Sequence, residues 1–203
     1  PHILPVIEQS GVPYYTNENV LRLPQLPQTM IILGGGFIAV EFAHIFSALG
    51  VDVTVVNRSP RLLKHLDEQV SDRFTELASE RWNTRLGYEV AAAEENSNGS
   101  VTITLDNGEK LTADVLVSAT GRTPNGDLMD LDKGGVEMDG QRIKVDEYGR
   151  TTASGVWAFG DVSSPFQLKH VANAEARVIE HNVLNPDDLR AFPHKHVPAA
   201  IFT

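Results

Sequence analysis

The chain has 203 residues, 41% of them apolar and 22% charged, with 27 acidic side chains against 17 basic ones. That composition is globular and contains no apolar run of about 18 residues to cross a bilayer; at a net charge of −10 it repels nucleic acid and anionic lipid unless a basic patch is segregated. With no cysteine, disulfide staples, thiolate metal sites and dithiol chemistry are excluded within these residues.

Residues 1–28 carry Pro1, Pro5, Pro13, Pro24 and Pro27, too closely spaced for a long helix, and are expected to form a connecting segment. From Thr29 the pattern turns to α/β. The run TMIIL predicts a strand, GGGFIAVEFAHIFSALG a glycine-opened helix closed by Gly50, and VDVTVV a second strand rich in β-branched residues. Strand, helix and strand in that order imply a parallel sheet. A second helix is expected over DEQVSDRFTELASERW, with Val70, Phe74, Leu77 and Ala78 on its inward face. YEVAAAEE, SVTITL and KLTADVLVSA then read as an antiparallel β-meander, the last two joined by a tight turn at Asp106–Gly108. Residues 29–120 are thus expected to be one nucleotide-binding domain, a Rossmann-like parallel sheet with helices and a meander. Residues 121–155 are turn-rich. They precede a predicted strand GVWAFGDV and a helix HVANAEARVIEHNVL, so that 121–203 reads as a return into another domain. The chain begins at Pro1 without Met, shows no signal-like segment and ends on AAIFT, a pattern that resembles a strand cut short; it is expected to be a piece of a longer, cytoplasmic protein.

Gly34, Gly36 and Ala39 fit the G-x-G-x-x-G/A pattern between the first strand and the first helix. Gly34 permits the tight turn, Gly36 lets a pyrophosphate approach the backbone, and Ala39 lets helix and sheet pack closely. Free N–H groups at the helix start, with Gly35, Phe37 and Ile38 among the lining residues, then bind the phosphates. A glycine-rich turn with no ligand is the bland alternative, and the ordered strand, helix, second strand and polar position about 20 residues on argue against it. That polar position is Asn57, where an acid would accept from a ribose 2′-hydroxyl. Arg58 follows it. Ser59 and Pro60 look suited to cap a short helical turn over PRLLKH, whose positive end would add to Arg58, Arg61 and Lys64. A solvated basic turn is the commoner fate of such a cluster, but this one stands where a 2′-phosphate would sit. Charge-assisted hydrogen bonds contribute about 1.5–3 kcal/mol each, so two would favour a phosphorylated ribose at least about a hundredfold. NADPH is the expected nucleotide. His194 and His196 form an HxH pair, but with no cysteine or adjacent acidic cluster no metal site is expected.

Taken together, IILGGGFIAVEFA, VSATGRTPN and GVWAFGDVSSPFQLKHVANAEA, in that order, resemble the flavin-dependent pyridine nucleotide-disulfide oxidoreductases, the family of glutathione reductase and dihydrolipoamide dehydrogenase. EFAHIFSALG, VVNRSPRLLKHLDE and SSPFQLKHVANAEARVIEHN resemble most the branch that reduces the disulfide of mycothiol. The resemblance implies that Gly34 and Gly36 hold the NAD(P)H pyrophosphate, that Phe37 takes the place of a gating tyrosine, and that Glu41 stands beside nicotinamide and flavin without itself being catalytic. It implies that Val90, Gly121 and Arg122 line the NAD(P) cleft. Gly160, Asp161, Gln167, Leu168, Lys169 and His170 match contacts to the FAD ribityl chain and ring.

In that family hydride passes from nicotinamide to FAD, and electrons move on to a cysteine pair and a substrate disulfide. The family's N-terminal FAD fingerprint, its CxxxxC pair and its C-terminal His-Glu domain, through which the parent would dimerise, are not among these residues. The chain is therefore expected to bind a small dinucleotide, neither nucleic acid nor membrane, and to be inactive by itself. A flavin-dependent NAD(P)H oxidase, a transhydrogenase, a dihydrolipoamide dehydrogenase and a non-catalytic dinucleotide-binding module are the alternatives that the residues leave open.

Overall fold

A computed structural model describes residues 1–203. The chain divides into two compact units, residues 1–122 with 201–203, and residues 123–200. No helix is long and apolar enough to cross a membrane.

In the first unit, the short helix α1 (Pro5–Ser10) has proline at its start, where a missing N–H leaves no helical bond unmade, and stops at Gly11 in the left-handed conformation. The α/β pattern follows as β1 (Thr29–Leu33), α2 (Phe37–Ala48), β2 (Asp52–Asn57), α3 (Glu68–Arg81) and β3 (Asn83–Leu86). An antiparallel sheet of β4 (Val90–Glu95), β5 (Val101–Leu105) and β6 (Lys110–Ala113) precedes β7 (Val115–Ser118). β7 returns to the parallel sheet, whose order is β3-β2-β1-β7. The first two crossovers are helical and the third is the antiparallel sheet.

Alternation along β1 builds two cores. Met30 and Ile32 join the cluster with Ala39, Val40, Ala43 and Phe46 of α2, and with Leu62, Ala78 and Trp82. Ile31 and Leu33 join the other, with Val101, Ile103 and Leu105 of β5 and Ile7 of α1. Both faces of a parallel sheet are thereby covered, as such sheets require. The proline-rich segment 1–28 takes part in this, with Ile7 and Val20 both fully buried.

Five predicted elements differ, the fifth being the strand GVWAFGDV of the second unit. KLTADVLVSA is two strands in two sheets, because Asp114 between them hooks onto the start of β1. Its carboxylate accepts from the N–H groups of Gln28 (3.1 Å) and Thr29 (2.9 Å) and from Thr29 Oγ1 (2.9 Å), while its own N–H donates to Thr29 Oγ1 at 2.9 Å. On α3, Val70 and Leu77 are exposed, and the inward positions are Ser71 and Ala78, with Phe74 half-buried. Ser71 faces inward because its Oγ donates to the Leu62 carbonyl at 2.6 Å. No helix forms over 60–65, for the reason given by its leucines: Leu62 and Leu63 are drawn into the core, Leu63 with φ +52°. AAIFT is not a strand; Ile201 packs against the first core and the Phe202 N–H donates to Glu41 Oε1 at 3.1 Å.

The second unit holds a two-stranded hairpin, β8 (Met138–Asp139) and β9 (Arg142–Ile143), and the helix α4 (Lys169–Leu184). Its apolar cluster of fully inward residues is small: Val136, Ile143 and Ala158. The predicted strand GVWAFGDV is only a bridge between Arg150 and Trp157 followed by a 3-10 turn at Gly160–Val162. Polar side chains of α4 tie the irregular segments together. Asn182, fully buried, donates to the carbonyls of Tyr148 (3.0 Å) and Arg190 (2.9 Å) and accepts from the Arg190 N–H at 2.7 Å.

Candidate dinucleotide-binding site

Three segments meet at the C-terminal edge of the parallel sheet: Gly34–Gly36 after β1, Asn57–Arg58 after β2 and Ala119–Gly121 after β7. β1 lies between β2 and β7, where successive connections leave in opposite directions, which is where open α/β sheets bind ligands. Gly34 has φ +121°, its N–H donates to the Val56 carbonyl at 2.8 Å, and a Cβ there would collide with the Ala119 carbonyl oxygen. Only glycine makes this turn without distortion. At Gly36 a Cβ would meet nothing within 4 Å, so the space before the α2 N-terminus is open. Gly36 caps α2 with no side-chain hydrogen bond and no acidic residue follows in the first turn. The first N–H groups of the helix have no intrahelical acceptor and carry the positive end of its dipole. An open cradle of unpaired donors fits a pyrophosphate.

Ala39 is fully buried against the sheet, Phe37 is exposed at the helix mouth, and Ile38 packs on the first core. Glu41 is half-buried one turn further on, accepting from Phe202 as described.

At the end of β2 the charges separate into two kinds. Arg61 is engaged by α3, its Nη2 2.7 Å from Glu68 Oε1 and its Nε 2.6 Å from Asp72 Oδ1. Arg58 and Lys64 are exposed and form no ion pair. Without a helix over 60–65, no dipole contributes here and the positive potential is that of these side chains. The Asn57 carboxamide turns its donor nitrogen inward. Its Nδ2 donates to the carbonyls of Ser59 (3.0 Å) and Arg61 (3.1 Å), and its carboxamide lies where a side chain on Gly35 would be, Cγ 2.6 Å from the position of that Cβ.

The other predicted residues fall in separate places. Val90 opens β4, opposite Leu105, and packs on the second core. Gly121 has φ +134° and its carbonyl accepts from the His2 N–H at 2.8 Å; Arg122 follows it, exposed. In the second unit, Gly160 has φ +71° and is buried, with half-buried Asp161 beside it in the 3-10 turn. Gln167, at φ +49°, and Leu168 lead into α4, where Lys169 donates to Asn173 Oδ1 at 2.9 Å and His170 is exposed.

Two features escaped the sequence reading. Glu175, fully buried, accepts the Gly160 N–H through Oε2 and meets His194 Nε2 through Oε1, both at 2.6 Å. The His194 ring lies between Phe166 and Phe192, with centroids 5.0 and 5.4 Å away. Glu175 sits four residues after buried Val171 and seven before buried Asn182; a carboxylate on that helical stripe was the signal. The second feature is Ser163, whose buried Oγ has no partner in the protein.

The pyridine nucleotide-disulphide oxidoreductase family profile matches residues 4–176. The chain belongs to that family. It is 48% identical over its whole length to mycothione reductase of Mycobacterium tuberculosis, of which it spans 45%. It is 35% identical to glutathione reductase of Burkholderia cepacia over 93% of the chain and 42% of that protein. The structure of the HOCl-induced flavoprotein disulfide reductase RclA from Escherichia coli superposes with a TM-score of 0.89 at 26% identity, over 99% of this chain and 46% of that one. The chain thus spans about half the length of the relatives it matches. The chain shares the fold of that reductase over nearly all of its own length.

Proposed function

We propose that this chain is the NADPH-binding region of a flavoprotein disulfide reductase whose substrate is a low-molecular-weight disulfide of the mycothione type. The observation that carries the nucleotide reading is the edge of the sheet itself: an open, unpaired helix start at Gly36 next to an exposed, unpaired Arg58, with no carboxylate at position 57. When bound, NADPH would supply a hydride and FAD would accept it. The α2 N-terminus would hold the pyrophosphate, Arg58 the 2′-phosphate with Lys64 as a more mobile second cation, and Phe37 would stack at the nicotinamide end. Val90, Gly121 and Arg122 would border the cleft.

On the flavin side the residues present fit part of a FAD site. The turn at Gly160 and Asp161, the unpartnered buried Ser163 hydroxyl and the N-terminus of α4 at Gln167–His170 offer donors and acceptors to a polyol and a ring. The chain contains no thiol, so the electrons' onward path to a disulfide would run through residues outside it. The 48% identity to mycothione reductase supports the choice of disulfide. In the test, the parent protein oxidises NADPH with mycothione far faster than with glutathione disulfide or lipoamide. Equal rates, or turnover only with lipoamide, would replace the substrate assignment. The 203-residue chain alone should be colourless and oxidise no NADPH above background.

A further inference from the structure

The asparagine at the end of β2 stands where a dinucleotide site reads the ribose, yet its donor nitrogen is turned back into the protein. Both groups within reach of Nδ2 are carbonyl oxygens, of Ser59 and Arg61. Two acceptors fix the carboxamide orientation, since reversing it would set oxygen against oxygen. The same turn is clamped from other directions. The Leu63 N–H donates to the Gly35 carbonyl at 2.7 Å, the Gly87 N–H to the Asn57 carbonyl at 2.8 Å, and the Leu62 N–H to Thr75 Oγ1 at 3.0 Å. Arg61 is held by Glu68 and Asp72. Of the two arginines in the turn, Arg58, at the tip, is left exposed without an ion pair.

We propose that Asn57 is a specificity-determining positioning residue: its carboxamide does not read the ribose but builds the 58–61 turn that presents Arg58 to a 2′-phosphate. A turn shaped before the ligand arrives loses less conformational freedom on binding, so the arginine contact contributes more of its energy. Gly35 belongs to the same device, because the carboxamide occupies the volume a larger residue would fill. The inference rests on the NADPH reading for its ligand but not for its geometry.

The test uses the 203-residue chain, with 2′,5′-ADP and 5′-AMP as probes in calorimetric titration and amide hydrogen exchange at Arg61, Leu62 and Leu63. Asn57→Leu keeps the volume and removes both donors. It should weaken 2′,5′-ADP binding about tenfold, leave 5′-AMP within about twofold, and speed exchange of the three amides. Combined with Arg58→Ala it should bind 2′,5′-ADP no more weakly than Arg58→Ala alone, because Asn57 acts through Arg58. Asn57→Asp, nearly isosteric, separates the two roles if the leucine variant does not fold. A ribose-reading residue would gain 5′-AMP affinity on becoming an acid, whereas a turn-building one gains none. Unchanged 2′,5′-ADP affinity in Asn57→Leu, unchanged amide exchange, additive losses in the double variant, or tighter 5′-AMP binding by Asn57→Asp would each overturn the proposal. A wild-type chain that binds both probes equally would overturn the NADPH reading and the specificity role with it, while amide exchange would still report separately whether Asn57 builds the turn.

Discussion

The turns at Gly34–Gly36 and at Gly160–Asp161 are both glycine-dependent, yet they are held by opposite means. At Gly34 the constraint is steric and main-chain: a positive φ, one hydrogen bond to Val56, and a backbone carbonyl where a side chain would be. Nothing charged is spent on it, and the helix donors beyond are left open. At Gly160 the N–H is taken by a fully buried carboxylate, which is itself paired to His194. The first arrangement leaves the helix donors beyond it without an intrahelical or side-chain partner. The second commits a donor to the protein, and near it only the buried Ser163 Oγ is left without a protein partner.

Gly34→Ala breaks the first turn and should have the largest effect. Backbone strain of about 1–3 kcal/mol adds to overpacking of about 1–3 kcal/mol, a loss to be read from the midpoint of urea unfolding. Glu175→Ala breaks the second by leaving the Gly160 N–H and the His194 ring unpartnered around a cavity, at about 2–4 kcal/mol. Glu175→Gln, which cannot accept from both, should fall between it and wild type. If Glu175→Ala unfolds at the wild-type denaturant concentration, the buried carboxylate does not hold that turn. The smallest effect belongs to Asp114, an exposed hook that neither turn contains. Hydrogen bonds from the Thr29 backbone and side chain, with a lesser one from Gln28, hold its pKa below the ordinary aspartate range against the opposing cost of desolvation. A lowered folded-state pKa contributes stability that is present above the unfolded value and lost as pH falls through the folded one. Wild type should therefore exceed Asp114→Asn by about 1 kcal/mol near neutrality, with the gap closing below about pH 4. A gap that persists or widens in acid would contradict this.

The βαβ unit and the glycine turn were legible because both are local: an apolar run, a helical period and three small residues at fixed spacing. The places where reading failed share a cause, which is that distant residues decided them. A serine-proline pair favours a helix start at 59–60, but burial of Leu62 and Leu63 and the bond from Leu63 to Gly35 won over that preference. The continuous pattern of KLTADVLVSA conceals a change of sheet made by Asp114 and Thr29, 85 residues apart. β3 was missed because Asn83–Leu86 is a short polar edge strand with no alternation to see. Arg58 was singled out by its position after the second strand, and the structure leaves it exposed without an ion pair. Asn57 ends β2 at the position read for it, but the inward turn of its Nδ2 was not legible, because that depends on the carbonyls of Ser59 and Arg61.

The central claim, that this sheet edge selects a phosphorylated ribose through Arg58, is tested most directly by calorimetric titration of wild type and Arg58→Ala with 2′,5′-ADP and 5′-AMP. A bidentate guanidinium–phosphate contact predicts that wild type prefers 2′,5′-ADP and that the variant loses about tenfold to a hundredfold for it while 5′-AMP is nearly unchanged. Equal binding of the two nucleotides by wild type, or equal losses for both in Arg58→Ala, would show that the basic turn is only solvated and that the NADPH assignment is wrong.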